Sequence, residues 1–232
     1  MDDQALHSLQ GDGVDSTVQA WVDGWVVSRG AAPPLPEPWG RTIDVGMSGH
    51  VTRHVFGATG DDLDEATVRK VAETVTGHGV WLKAFRDPSV VSGWLDDSWW
   101  IDPEPGYLMT VPLVADGAPE APDGYRLRQW SRGGVTRLMV AAPDGSLAAR
   151  GQIAPTGVTA VADRIETAPE HRRKGLGSLV MRTLQNAAAR QGARTGVLAG
   201  TPAGRGLYEA LGWTVVAPLT SARHDPPASA RA

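Results

Sequence analysis

Residues 169–178 read PEHRRKGLGS. Arg172, Arg173 and Lys174 run directly into Gly175 and Gly177. An apolar stripe follows at Leu176, Leu179, Val180, Leu184, Ala187 and Ala188, which predicts a helix over 175–191, stopped by Gly192. Just before it, GVTAVADRIETA (157–168) predicts a long strand. A chain that leaves a strand, turns at Pro169 and enters a helix presents orphan N–H groups and the positive end of a dipole. Glycine lets backbone approach an anion where a Cβ would collide. Three cationic side chains at the same point suit one compact diphosphate. From these ten residues alone, a solvated basic turn before an ordinary helix is an equal alternative.

Other readings of the segment fail on spacing. A dinucleotide fingerprint needs a third glycine, and Val180 stands there; no Walker loop occurs anywhere in the chain. GMSGH (46–50) misses a nucleophile elbow because His50 replaces its last glycine. His50 and His54 fall in a predicted strand, no H-E-x-x-H occurs, and cysteine is absent, so no metal is expected. The basic cluster is short and the pI is about 5.8, so no nucleic-acid partner is expected. No stretch is long and apolar enough for a membrane span. MDDQALHSLQGDG at the start lacks an export layout, so a cytoplasmic location is expected.

Outward from this segment the chain divides by charge. Residues 1–120 carry 7 Lys+Arg and 19 Asp+Glu, whereas residues 121–232 carry 15 and 7. The change falls in LVADGAPEAPDG (113–124), which reads as a linker. The expected organisation is a Trp-rich acidic domain over 1–118, a second domain over 119–220 and a disordered tail over 221–232. In the second half, strands at YRLRQW, GVTRLMVAA, GSLAARGQIA and GVTAVADRIETA precede the helix. Strand RTGVLAG, helix PAGRGLYEAL and strand WTVVAPL follow it. The first half opens on an amphipathic helix, TVQAWVDGWVV. It ends in strand, helix, strand, helix, strand, the same succession as the second half, which suggests an internal repeat.

ETAPEHRRKGLGSLVMRTL closely resembles the acyl-CoA pyrophosphate loop of the GNAT superfamily of N-acyltransferases, [Q/R]-x-x-G-x-[G/A], through Arg172, Gly175 and Gly177. GLYEALGW resembles that family's last helix through Leu207, Tyr208, Gly212 and Trp213. The resemblance covers residues 125–218 and implies an α/β (α+β) fold. Its sheet would be mixed and mainly antiparallel, flanked by helices, in a tandem of two half-chain domains. It also implies an N-acetyltransferase that moves an acetyl group from acetyl-CoA to a primary amine by direct attack in a ternary complex. The acceptor would be a small amine or peptide.

Carried over by motif position, the resemblance places the N–H of Ile165 against the acyl carbonyl and the backbone around Glu166 and Thr167 along the pantetheine. Arg172, Arg173, Lys174, Gly175, Leu176, Gly177 and Ser178 would hold the pyrophosphate, and Thr201 would take the place of a frequent pantetheine-binding Asn. Tyr208 corresponds to the general acid, with a packing tyrosine as the alternative. Asp163 is the candidate general base, because strand alternation puts Glu166 on the opposite face. A water chain or an acid from the first half is at least as good a candidate. Only SRG separates the first two strands, so the family's two acceptor-side helices are missing. The Trp-rich acidic half is expected to supply that wall and to favour a cationic or amphipathic acceptor. Its own junction, FGATGDDLDEATVRK, is acidic where phosphate would bind, so one cofactor site is expected. A homodimer stays open. A non-catalytic acyl-CoA-binding or regulatory module is the alternative function, and an interaction protein a third.

Overall fold

The computed structural model describes residues 15–117 and 119–225. In chain order it holds α1 (Ser16–Arg29), β1 (Leu35–Glu37), β2 (Gly40–Met47), β3 (His50–Thr59), α2 (Glu65–Glu73), β4 (Val80–Phe85), α3 (Pro88–Val91), β5 (Trp99–Ile101) and β6 (Gly106–Pro112). Then come β7 (Arg126–Arg132), β8 (Val135–Ala141), β9 (Leu147–Thr156), β10 (Thr159–Thr167), α4 (Leu176–Arg190), β11 (Thr195–Gly200), α5 (Pro202–Ala210) and β12 (Thr214–His224). The fold is mixed α/β with a largely antiparallel sheet flanked by helices, as the sequence predicts.

The chain forms two compact units whose borders differ from the expected ones. Among the described residues, the first contains 15–19, 32–103 and 219–225; the second contains 20–31 and 104–218. Composition placed the boundary near 118, but pairing moves it. Strand β6 lies upstream of the linker, yet it pairs antiparallel with β11, from Thr195↔Pro112 to Gly200↔Tyr107. The expected tail also begins too early. Residues 220–223 pair with β4, and β12 runs to His224. The rest of that tail and the N-terminal acidic stretch lie outside the described residues.

In the second unit the strand order is β6-β11-β10-β9-β8-β7. Helix α4 buries Leu176, Leu179, Val180, Leu184 and Ala188 in a core shared with Leu138, Val140 and Ile153 of the sheet. The connection from β7 to β8 is a turn at Gly133 and Gly134, with φ of 59° and 75°, the left-handed pair that a tight hairpin requires. No helix intervenes there. Instead α1 packs directly on β10: a Cβ at Gly24 would sit 2.3 Å from Val161 Cγ2.

The first unit repeats part of this pattern. Strands β3 and β4 are parallel with α2 between them, as β10 and β11 are parallel with α4 between them. On its other side β4 meets antiparallel β12, as β11 meets antiparallel β6. Phe56, Leu63, Val68, Leu82, Val91 and Trp99 fill this unit's own core. The two parallel pairs differ in length. The β3–β4 ladder runs from Thr52↔Val80 to Val55↔Lys83 and resumes after a register shift at Thr59↔Phe85, whereas β10 and β11 pair only over Thr159↔Thr195 to Val161↔Val197 and then part.

Candidate active site

The parting of β10 from β11 opens a groove in the second unit. Beyond Val161, β10 keeps its ladder with β9, at Asp163↔Gln152, Glu166↔Arg150 and Thr167↔Ala149. Its β11-facing edge has no ladder partner there among the described residues. Backbone groups so left must find another partner. An extended ligand arm bonding in β fashion can supply one.

Between Asp163↔Gln152 and Glu166↔Arg150, two residues of β10, Arg164 and Ile165, stand opposite the single Gly151 of β9, which makes a β-bulge. Arg164 takes φ 53° within it. The bulge corrects the alternation argument. Gln152 and Arg150 are two apart and share a face, so their partners Asp163 and Glu166 share it too. Gly151 makes the bulge possible, because a Cβ there would lie 2.7 Å from Ile165 Cδ1 and 2.6 Å from Val180 Cγ1.

Two cavities flank the groove. One, of about 580 Å³, is lined by Ala149, Ile165, Glu166, Thr167, Arg172, Thr201 and Tyr208, among others. The other, of about 440 Å³, is lined by Arg29, Asp163, Arg164, Gly200 and Leu198, and again by Arg150, Ile165, Glu166, Thr201 and Tyr208. The five shared residues therefore stand between the two cavities.

Tyr208 is held by the absence of side chains around it. Added Cβ atoms at Gly200 and Gly204 would each come within 2.8 Å of its Cε2. The ring packs near Trp213, centroids 6.2 Å apart. Its hydroxyl has no hydrogen-bond partner among the described residues. Burial, and then the charge of Asp163, push the phenol up to about 12. Thr201 caps α5, its Oγ1 accepting from the Gly204 N–H at 3.3 Å.

The basic loop has the expected layout. Arg172, Arg173, Lys174 and Gly175 are exposed, and Arg172 Nε donates to the Thr167 carbonyl at 3.4 Å. Gly175 stands at the N-cap with φ 78° and gives no side-chain cap. The first intrahelical bond runs from the Leu179 N–H to the Gly175 carbonyl, which leaves the N–H groups of Leu176, Gly177 and Ser178 facing outward. Leu176 can offer only backbone, since its side chain is buried in the core. At Gly177 a Cβ would fall 2.9 Å from Leu207 Cδ2, so the start of α4 lies tight against α5.

The candidate base Asp163 is already occupied. Arg29 donates to it twice, Nε to Oδ2 at 2.5 Å and Nη2 to Oδ1 at 2.7 Å. Ser28 donates to Oδ2 at 2.7 Å, and the Arg164 N–H donates to Oδ1 at 2.9 Å. Buried Gln152 in turn donates to Ser28 Oγ at 2.6 Å. Burial alone would raise this carboxyl, but the Arg29 bonds and charge outweigh it and hold the group below the usual carboxylate range. It stays ionised and is a weak base with its oxygens engaged, which counts against the base role expected from sequence. Glu166 pairs with Arg150 through Oε2 alone, at 2.9 Å to Nε and 2.8 Å to Nη2.

Motif reading could not find Arg29 or Ser28. They lie 134 and 135 residues from Asp163, and no local pattern marks them. Arg150 carried a faint signal, since pairing the β9 hairpin strand with β10 places it opposite the site.

The sequence matches the acetyltransferase (GNAT) family over residues 92–213. The chain belongs to that family. Membership supports acyl transfer in general, and the family generally uses acetyl-CoA. The fold is similar to a GCN5-related N-acetyltransferase from Kribbella flavida, at TM-score 0.60 and 18% identity over 90% of this chain and 94% of that one. It is also similar to a putative GNAT-family acetyltransferase from Novosphingobium aromaticivorans, at TM-score 0.53 and 17% identity over 91% and 97%. A tandem GNAT protein from the clavulanic acid biosynthesis pathway matches at TM-score 0.52 and 15% identity, over 93% and 97%. At such identities the likeness concerns fold. No curated protein matches the sequence. Among the described residues no helix is long and apolar enough to cross a membrane, and no cluster of His, Asp or Glu suits a metal.

Proposed function

We propose that this GNAT protein transfers an acetyl group from acetyl-CoA to a primary amine by direct attack within a ternary complex. The observation that carries the reading is the groove between β10 and β11, flanked by two cavities that share Arg150, Ile165, Glu166, Thr201 and Tyr208. Acetyl-CoA fits the cavity beside the basic loop. Residues 172–178 offer cationic side chains and outward N–H groups to the pyrophosphate. The free edge of β10 around Thr167 offers strand-like bonding to the pantetheine, with Thr201 opposite. In this reading the Ile165 N–H donates to the acyl oxygen as charge develops there.

The amine reaches the thioester through the second cavity. Glu166 replaces Asp163 as the preferred proton acceptor, directly or through water. It lines both cavities and has one oxygen outside its ion pair. Tyr208 donates a hydrogen bond to the departing sulfur. A thiol titrates near 8.5, so complete transfer from a phenol at about 12 is uphill by roughly 5 kcal/mol. The phenol therefore stabilises the developing thiolate before any proton moves.

The test is thiol release from acetyl-CoA in the presence of a panel of primary amines, with mass detection of the N-acetyl product. Product formation with at least one amine is expected. Binding of CoA with no amine ever acylated would instead leave a binding module. Glu166→Gln is expected to lower kcat and to recover partly at higher pH, where more amine is already neutral; a larger loss in Asp163→Asn, with the protein still folded, would return the base role to Asp163.

A further inference from the structure

The second cavity is cationic once its internal pairs are set aside. Arg29, Arg150 and Arg164 line it against Asp163 and Glu166. Both carboxylates are already engaged, Asp163 by Arg29 and Ser28 and Glu166 by Arg150. The Arg164 guanidinium has no side-chain partner among the described residues. Its backbone sits in the bulge at φ 53°, in the left-handed region that costs a non-glycine residue about 1–2 kcal/mol. Its own N–H, donated to Asp163, helps hold it there. Strain of this kind is retained where the surroundings over-determine it, as at ligand clamps.

Arg164 also lines an adjoining cavity of about 280 Å³. That cavity adds Arg137, with Trp130, Met139 and Leu147 as apolar walls, and includes no carboxylate among its lining residues. Trp130 lines this cavity and is 42% exposed, so part of its indole surface is open to a ligand. A second positive charge on the acceptor would meet only guanidinium groups and engaged acids here. A carboxylate would gain a charge-assisted, two-pronged bond from Arg164, and an apolar body would gain the indole face.

We infer that Arg164 is a specificity residue for the acceptor, and that the acceptor is a primary amine that itself bears a carboxylate. The inference rests on the acetyl-transfer reading above. It departs from the cationic acceptor that the acidic first half suggests, because the side chains lining this cavity come from the second unit.

Phenylalanylalanine and its C-terminal amide test it, since their amines are alike and only one carries the carboxylate. The wild-type kcat/KM ratio of acid to amide is expected to be at least about tenfold, equivalent to about 1.4 kcal/mol. In Arg164→Ala the ratio should fall to about one, and Arg164→Lys should keep part of it. Being internal, the ratio does not depend on how much variant protein folds. A wild-type ratio near one, or an unchanged ratio in Arg164→Ala, would overturn the inference. Calorimetric binding of the two dipeptides to CoA-loaded protein reads the same ratio without turnover. If that ratio holds while no amine is acetylated, the transferase reading fails and the anion site stands. If neither dipeptide binds, the anion site fails.

Discussion

At the scale of single residues, two side chains carry opposite electrostatic loads a short way apart. Tyr208 keeps its proton because burial and Asp163 disfavour phenolate. Tyr208→Phe is therefore expected to lower kcat by about 10²-fold, the low end for a positioned proton donor, with CoA affinity nearly intact. Unchanged turnover would remove Tyr208 from the chemistry. The wild-type rate should show no descending limb near pH 10, where an ordinary phenol would ionise. Asp163 keeps its charge because Arg29 and Ser28 hold it. A carboxyl lowered in the folded state stabilises above its unfolded value near 3.9 and loses that contribution as pH falls through the folded one. Arg29→Met should thus cost about 2 kcal/mol at neutral pH, less than for a fully buried pair because Arg29 stays partly in water. The Tm gap between wild type and Arg29→Met should narrow below about pH 4 as Asp163 becomes protonated. A gap independent of pH would mean that Arg29 stabilises by packing alone.

Elements set where those side chains stand. The bulge in β10 decides which acids face the groove, and Gly151 permits it by leaving room for Ile165 and Val180. The start of α4 abuts α5 through Gly177 and Leu207, with the outward N–H groups at that end. Gly177→Trp should abolish CoA binding in calorimetry while far-ultraviolet dichroism keeps its helical signal. Normal affinity in that variant would displace the pyrophosphate site from this loop. The local run of the chain made much of this visible. The stripe from Leu176 to Ala188 marks α4, and the spacing of Gly175 and Gly177 is legible as backbone access from the sequence alone. The bulge was not visible, because a strand of one sequence looks regular until its partner's register is known.

On the scale of the whole molecule, strand pairing overrides the order of the chain. The upstream strand β6 belongs with β11, and the end of β12 belongs with β4 and β5. The two units share a strand–helix–strand core but not a groove. The β3–β4 pairing resumes at Thr59↔Phe85 after a register shift, while the β10–β11 ladder ends at Val161↔Val197. The first unit's corresponding helix start is acidic as well: Asp64 caps α2 through the Thr67 N–H at 2.9 Å, and Asp61 pairs with Arg86 at 2.7 Å. Titration with acetyl-CoA should give one site per chain, and a stoichiometry of two would contradict this reading.

By itself the sequence determined the family, the kind of secondary structure and the basic loop, since each depends on residues close together in the chain. Periodicity, capping glycines and a cationic run act over one or two turns. Only the tertiary structure decided which strands belong to which unit and which acids share a face of β10. It also placed Arg29 beside Asp163 and left the Arg164 guanidinium without a side-chain partner among the described residues. These depend on pairings across more than a hundred residues, where register and a single bulged residue outweigh any local preference.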